Sequence, residues 1–335
     1  MRNPVFDIMK FIAIMGVIVG HCVHDWRQPL VYICNLQLFF FVGGYFFKPK
    51  SITNAFKHEV QRIFTPYLIG GVCISIILVC LYISNQNFNL WNRISPLLTG
   101  GGVFLNNHYG FMLWFLTALF VCSIIYTIIN QHVKGYIYST LVIIAITTIG
   151  YYLSIYCRLI IPFLIPQACV AIIFFHSGYM FRVYNSITPK SHTLIWWSLA
   201  ILFAMILYNL GTCDIYTGQY RMFPLYILGS LGGIFIVSQL SYYCCIATPK
   251  FANILARLGS MSILIYLVHF LEFTVGGSYH ITSKFLFFID NYKESMLEKI
   301  LFALIVSLLL YQIPIVRHVL RLSKPQYIDI KELKS

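Results

Sequence analysis

Charge is scarce in this sequence. Only 10% of its 335 residues are Asp, Glu, Lys or Arg, and the acidic ones number just 10, whereas soluble globular domains carry about a quarter charged residues. A chain so depleted cannot cover a water-facing surface, which excludes a soluble globular protein and makes lipid the main solvent. Paired cysteine spacing is missing too. The 10 cysteines are scattered, mostly inside apolar runs, with no CxxC, so neither a disulfide framework nor a zinc or other metal site is expected. Cys244-Cys245 reads as a buried pair or as a palmitoylation site at a cytoplasmic helix end. No small-x-small cleavage site follows the apolar run behind Met1-Arg2-Asn3-Pro4. His21, His24 and Asp25 close that run instead, so it reads as a retained first helix and not a signal peptide. A repeat of fixed period is also absent, and the two halves share no motif.

What the sequence has is apolar length. Hydrophobic residues make up 59%, with a mean hydropathy of +0.79. A membrane crossing needs about 20 such residues, and runs of that kind lie at about 5–23, 30–47, 63–83, 111–129, 136–156, 159–182, 194–210, 223–243, 254–275 and 299–316. Barrel strands would be about half as long and would alternate in polarity. The expected fold is therefore all-α, a bundle of about ten transmembrane helices. The formal charge of +13 does not imply nucleic acid as a partner. With the N-terminus in the cytoplasm, only Arg27, Arg93, Arg158, Arg221, Lys284, Lys293 and Lys299 of the 23 basic residues fall on the far side. This is the positive-inside pattern and puts both termini in the cytoplasm. Residues 1–316 read as one transmembrane domain, and residues 317–335 as a basic cytoplasmic tail that hugs the membrane, with Pro325 as a breaker. Two connections are long, 84–110 with Gly100-Gly101-Gly102 and 276–298 with a mixed-charge stretch. Both are candidate walls of a functional site. Gly16 and Gly20, and Gly229 and Gly233, form GxxxG pairs that bring helices close together.

Ionisable groups within the bilayer are costly and tend to be functional. The first helix carries Asp7, Lys10 and His21. At 100° per residue Lys10 and His21 come within about 20° of one face, about 16 Å apart along the axis, with Asp7 and Lys10 an i,i+3 pair. A cation at the cytoplasmic end suits a phosphate, and an imidazole farther up suits a proton. An extended acyl-CoA arm could bridge the two. On spacing alone, a positive-inside anchor and an interfacial histidine explain the same residues. The ninth run adds His269 in the outer half, flanked by Tyr266 and Glu272, and two histidines and a carboxylate in one layer are hard to explain as packing. Three weaker signals remain. His21 and Asp25 form an HxxxD pattern, which works only if the helix continues past Val23. Cys22 beside His21 points about 100° away from it. His176 reads as a packing residue, with Arg182 nearby as a further candidate for the donor's phosphates.

Asp7-Ile8-Met9-Lys10 with His21 resembles the opening helix of the membrane-bound acyltransferase family 3. Lys at position 10, where Arg is usual, resembles the branch around fucose 4-O-acetylase. The likeness continues through Phe39-Phe40-Phe41-Val42-Gly43-Gly44-Tyr45, with Gly43 in place of the usual Ser. It then takes in Arg62-Ile63-Phe64-Thr65-Pro66-Tyr67, Leu113-Trp114-Phe115-Leu116 and the "LGxxSxxIYLxH" stretch from Leu258 to His269. The resemblance implies a multi-pass bacterial inner-membrane O-acetyltransferase. Its donor would be acetyl-CoA or another acyl-CoA, used as a substrate and not as a tightly bound cofactor, and its acceptor a carbohydrate or glycolipid. It implies His21 as the proton-handling residue and Lys10 and Arg62 at the donor's phosphates, while Lys lacks the bidentate fork of Arg. Asp7 and Arg182 complete the donor-binding set. Tyr266, His269 and the triple-glycine backbone are candidates to stabilise an oxyanion. The alternative readings are a transporter or flippase for a sugar or lipid-linked glycan, and a non-catalytic membrane subunit.

Overall fold

The computed structural model describes residues 2–23, 25–82, 91, 95, 97–101, 113–157, 161–184, 193–279, 292–322 and 325–327. Among the described residues the architecture is helical, with two isolated bridges, Arg2–Tyr327 and Asp214–Gln219. The helices are α1 (Pro4–Cys22), α2 (Arg27–Tyr32), α3 (Asn35–Tyr45), α4 (Ile52–Glu59), α5 (Thr65–Tyr82), α6 (Trp114–His132), α7 (Tyr136–Tyr156) and α8 (Ile165–Val183). After these come α9 (Thr193–Leu210), α10 (Phe223–Ala247), α11 (Pro249–Ser260), α12 (Ser262–Tyr279), α13 (Tyr292–Gln312) and α14 (Pro314–Val319). Most of the long connections 84–110 and 276–298, with Gly102, His108 and Tyr109, lie outside the described residues, as does the tail beyond Tyr327.

Among the described residues six helices are long and apolar enough to cross a membrane, or seven if one bent pair counts as a single span. Two of the ten expected runs are broken among the described residues. The run at 30–47 splits at Ile33-Cys34 into α2 and α3, of 6 and 11 residues. The run at 254–275 bends by 62° between α11 and α12, where Gly259, Ser260 and Ser262 are poor helix formers and Ser260 Oγ donates back to the Arg257 carbonyl at 2.7 Å. The run at 194–210 is apolar but short. The last run starts earlier than expected, at Tyr292, and stops at Gln312 ahead of Pro314.

Local chemistry explains other boundaries. The Asn3 side chain accepts from Val5 N at 3.0 Å and Pro4 opens the first turn, so α1 has a capped start. Between α4 and α5, Val60–Phe64 is a π-helical turn. Pro66 has no N–H to give the Arg62 carbonyl, and the widened turn absorbs the loss: Thr65 Oγ1 donates to the Val60 carbonyl at 3.0 Å.

α1 is the centre of the bundle and packs against α3, α10, α11 and α13. Close approaches depend on glycine. A Cβ on Gly259 would strike the Asp7 carbonyl, which locks α11 to α1. Cβ atoms on Gly44 and Gly178 would strike the carbonyls of Phe175 and Phe41, which locks α3 to α8. Both GxxxG pairs sit at contacts: Gly16 faces Asn35, Gly20 faces Tyr32, Gly229 faces Leu207 and Gly233 faces Ile33. Outward-facing residues on the peripheral helices are apolar, including Ile137 and Leu141 on α7, Leu194 and Trp196 on α9, and Leu309 on α13. Such a surface suits hydrocarbon and not water. The two ends of the described chain meet, Arg2 N donating to the Gln326 carbonyl at 2.7 Å.

Candidate active site

Two cavities lie end to end along α1. The larger, of about 520 Å³, is at the N-terminal end of α1 and is lined by Arg2, Asp7, Lys10, His58, Arg62, Ser260, Ser262 and Arg321, among others. The smaller, of about 80 Å³, is at the other end and is lined by His21, Tyr32, Asn35, Trp114, Asp214, Tyr216 and His269. Leu36, Phe115 and Tyr266 line both. The expected stripe on α1 therefore holds, with Lys10 opening into one chamber and His21 into the next.

The larger chamber is strongly basic, but its cations are tethered. Lys10 Nζ lies 2.5 Å from Asp7 Oδ1, and Arg2 lies 3.9 Å from Asp7 Oδ2. Arg62 donates twice to Glu59 Oε2, at 2.9 and 2.6 Å, while His58 Nδ1 contacts Glu59 Oε1 at 2.9 Å. An entering anion would join these networks and not meet bare charges. Arg321 is held by Gln61 at 2.5 Å. A third cavity of about 320 Å³ shares Gly43, Phe46, His58 and Arg62 with the large one, and adds Lys48 and Lys50. Arg2, His58, Glu59 and Arg321 were not legible as site residues, because the long-range approach of the chain ends and the π turn places them.

In the smaller chamber the imidazoles of His21 and His269 face each other, their centroids 5.6 Å apart and their planes inclined by 30°. Glu272 Oε2 is 3.9 Å from His269 Nδ1, and both side chains are buried. Lys299 of α13 lies within electrostatic reach of Glu272. Two histidines and a carboxylate thus do share one layer. Glu298 is buried as well. Tyr266, 8% exposed, packs edge-on against Phe115 at 5.9 Å and forms part of the shared wall. The described part of the glycine run docks on this side: Thr117 Oγ1 donates to the Gly100 carbonyl at 2.5 Å and Tyr216 OH to the Gly101 carbonyl at 3.3 Å.

Other sequence candidates are elsewhere. α1 ends at Cys22, and Val23 is extended. Asp25 turns instead to Arg27, with hydrogen bonds of 2.6 to 3.0 Å that hold its carboxyl down at about 2. The HxxxD reading therefore fails, and Asp25→Asn is expected to leave turnover within about twofold of wild type, measured as initial rate. Cys22 is buried and lines neither chamber. His176 contacts Tyr126 OH at 3.0 Å through Nδ1 and Thr140 Oγ1 at 2.9 Å through Nε2, which makes it a packing residue. Arg182 sits over the Tyr179 ring at 5.2 Å and lines none of the three cavities.

A lipid-facing helical bundle that holds a basic chamber against a histidine-lined one is a multi-pass membrane protein with two internal chambers. Residues 3–313 match the model of the acyltransferase domain of acyltransferase family 3. That match takes in nearly the whole chain, and the chain belongs to this family of membrane acyltransferases. Comparison with curated proteins and with solved structures finds no match.

Proposed function

We propose that the protein transfers an acyl group, most simply acetyl, from acyl-CoA to a hydroxyl of a cell-surface or lipid-linked carbohydrate. The supporting observation is the shared wall. Leu36, Phe115 and Tyr266 separate a basic chamber suited to the donor's phosphates from a chamber that holds His21 and His269. The donor enters from the cytoplasm, in the orientation that the positive-inside pattern favours, and its thioester reaches the wall near Tyr266. His21 takes the proton from the acceptor hydroxyl as the oxygen attacks the thioester carbonyl carbon. The tetrahedral oxyanion collapses, the C–S bond breaks, and the departing thiolate receives the proton from His21 to leave as free CoA. Tyr266 and His269 stabilise the oxyanion. Lys10 in place of Arg supports the fucose 4-O-acetylase-like branch, and a bacterial inner membrane is the setting the family resemblance suggests.

Donor binding provides the test. Detergent-purified protein should bind acetyl-CoA, and Lys10→Ala or Arg62→Ala should weaken that binding about tenfold or more. This is about 1.4 kcal/mol, within the range of one charge-assisted hydrogen bond. Binding measured by calorimetry at two salt concentrations should weaken further with salt. Unaltered affinity in both variants would remove the basic chamber from the donor path, and no affinity of the wild type for any acyl-CoA would overturn the reaction class.

A further inference from the structure

The segment 211–222, between α9 and α10, reaches the His21 chamber although nothing in its sequence marks it as functional. It is a pinned loop. Asp214 and Gln219 exchange backbone hydrogen bonds of 2.9 and 3.0 Å. Gln167 Nε2 donates to the Tyr216 carbonyl at 3.2 Å, and Cys213 and Ile215 are buried. Gly218 has φ +70°, and a Cβ there would lie 2.9 Å from the Ser154 carbonyl. The loop is therefore docked against α7 and α8 and presents two side chains to the chamber, Asp214 and Tyr216. The Tyr216 ring lies 5.0 Å from that of Trp114, inclined by 33°.

Asp214 accepts one bond on each carboxylate oxygen, from Tyr216 N at 2.9 Å and from Thr217 Oγ1 at 3.0 Å. An ionised carboxylate offers about four lone-pair positions, so acceptor capacity remains. An asparagine would serve this turn equally well. Burial pushes the Asp214 carboxyl above its usual range, against the lowering effect of its hydrogen bonds from Tyr216 and Thr217.

We propose that this loop positions the acyl acceptor: the Asp214 carboxylate takes a hydrogen bond from an acceptor hydroxyl next to the one that reacts, and the Tyr216 and Trp114 rings carry the apolar face of a sugar ring. The inference rests on the acyl-transfer reading above. Its chemistry is that of a polyol with one apolar face, since hydroxyl donors pair most strongly with an ionised acceptor and flat aromatic surfaces bury ring C–H groups. Asp214 is a positioning residue here, and His21 remains the proton acceptor.

The test uses the full-length protein in detergent with acetyl-CoA, a panel of methyl glycosides as acceptors, and glycerol as an open-chain control. Two rates are read separately, acetyl transfer to the glycoside and acceptor-independent thioester hydrolysis. Asp214→Asn and Tyr216→Ala should each raise the glycoside KM tenfold or more and lower hydrolysis less than transfer. Thr217→Val, which removes only the Thr217 hydroxyl bond to Asp214, should leave KM unchanged. The proposal is overturned if Asp214→Asn keeps the wild-type KM, if Thr217→Val raises KM as much as Asp214→Asn does, or if glycerol serves as well as every glycoside. Equal loss of hydrolysis and transfer in Asp214→Asn would also overturn it, by moving Asp214 to the donor half of the reaction. Absence of both rates in wild type would instead bring down the acyl-transfer reading beneath it.

Discussion

His21→Ala is expected to lower acyl transfer by about 10²–10⁴-fold, the usual contribution of a positioned general base, while acetyl-CoA affinity stays at the wild-type level. The separation of the chambers is the reason. His21 lines the small cavity and not the basic one, so losing its ring removes the proton acceptor without touching Lys10 or Arg62. His21 is also only partly buried, so truncation should leave the protein folded and in the membrane. His269→Ala should act differently. Its ring is buried beside Glu272, and its removal is expected to lower turnover and also stability, seen as an earlier melting transition in detergent. Near-normal transfer by folded His21→Ala would remove the imidazole from the mechanism.

A large structural effect is expected at Gly44. Gly44→Ala should destabilise the protein by about 3 kcal/mol or more, at or beyond the upper end of ordinary overpacking, because the added carbon meets the Phe175 carbonyl of α8 and not a side chain able to turn away. A fold stabilised by about 5–15 kcal/mol would then show a lowered melting transition and less monodisperse protein by fluorescence-detected size exclusion. Gly43→Ala is the matched control. Its new Cβ would lie 3.1 Å from the edge of the Phe175 ring, which can shift by a few tenths of an ångström, so only a small loss is expected. Equal behaviour of the two variants would mean that the α3–α8 contact is looser than the backbone geometry indicates.

Much of the site was legible because one helix carries it. Asp7, Lys10 and His21 share a stripe by the 3.6-residue period alone, and the structure keeps that stripe along the central helix. The stretch from Leu258 to His269 was legible as chemistry but not as shape. It reads as one apolar run, yet the Gly259-Ser260 break bends it by 62°, which puts Ser260 and Ser262 in one chamber and His269 in the other. Asp25 shows the opposite error. Its spacing from His21 would suit a continuous helix, but the backbone turns extended at Val23 and the carboxylate finds Arg27.

By itself the sequence determined the solvent, the helical class and the residues of α1 that face inward. Charge depletion and apolar run length report on hydrocarbon, and helical periodicity is local. Only the tertiary structure decided which residues share a chamber. Asp214 and Tyr216 join His21 across most of the chain, and Arg2 and Arg321 meet at one mouth because the two ends of the described chain lie together. Such meetings depend on how helices pack, through glycine contacts such as Gly44 with Phe175 and Gly259 with Asp7, and a glycine in sequence does not name the carbonyl that will lie against it.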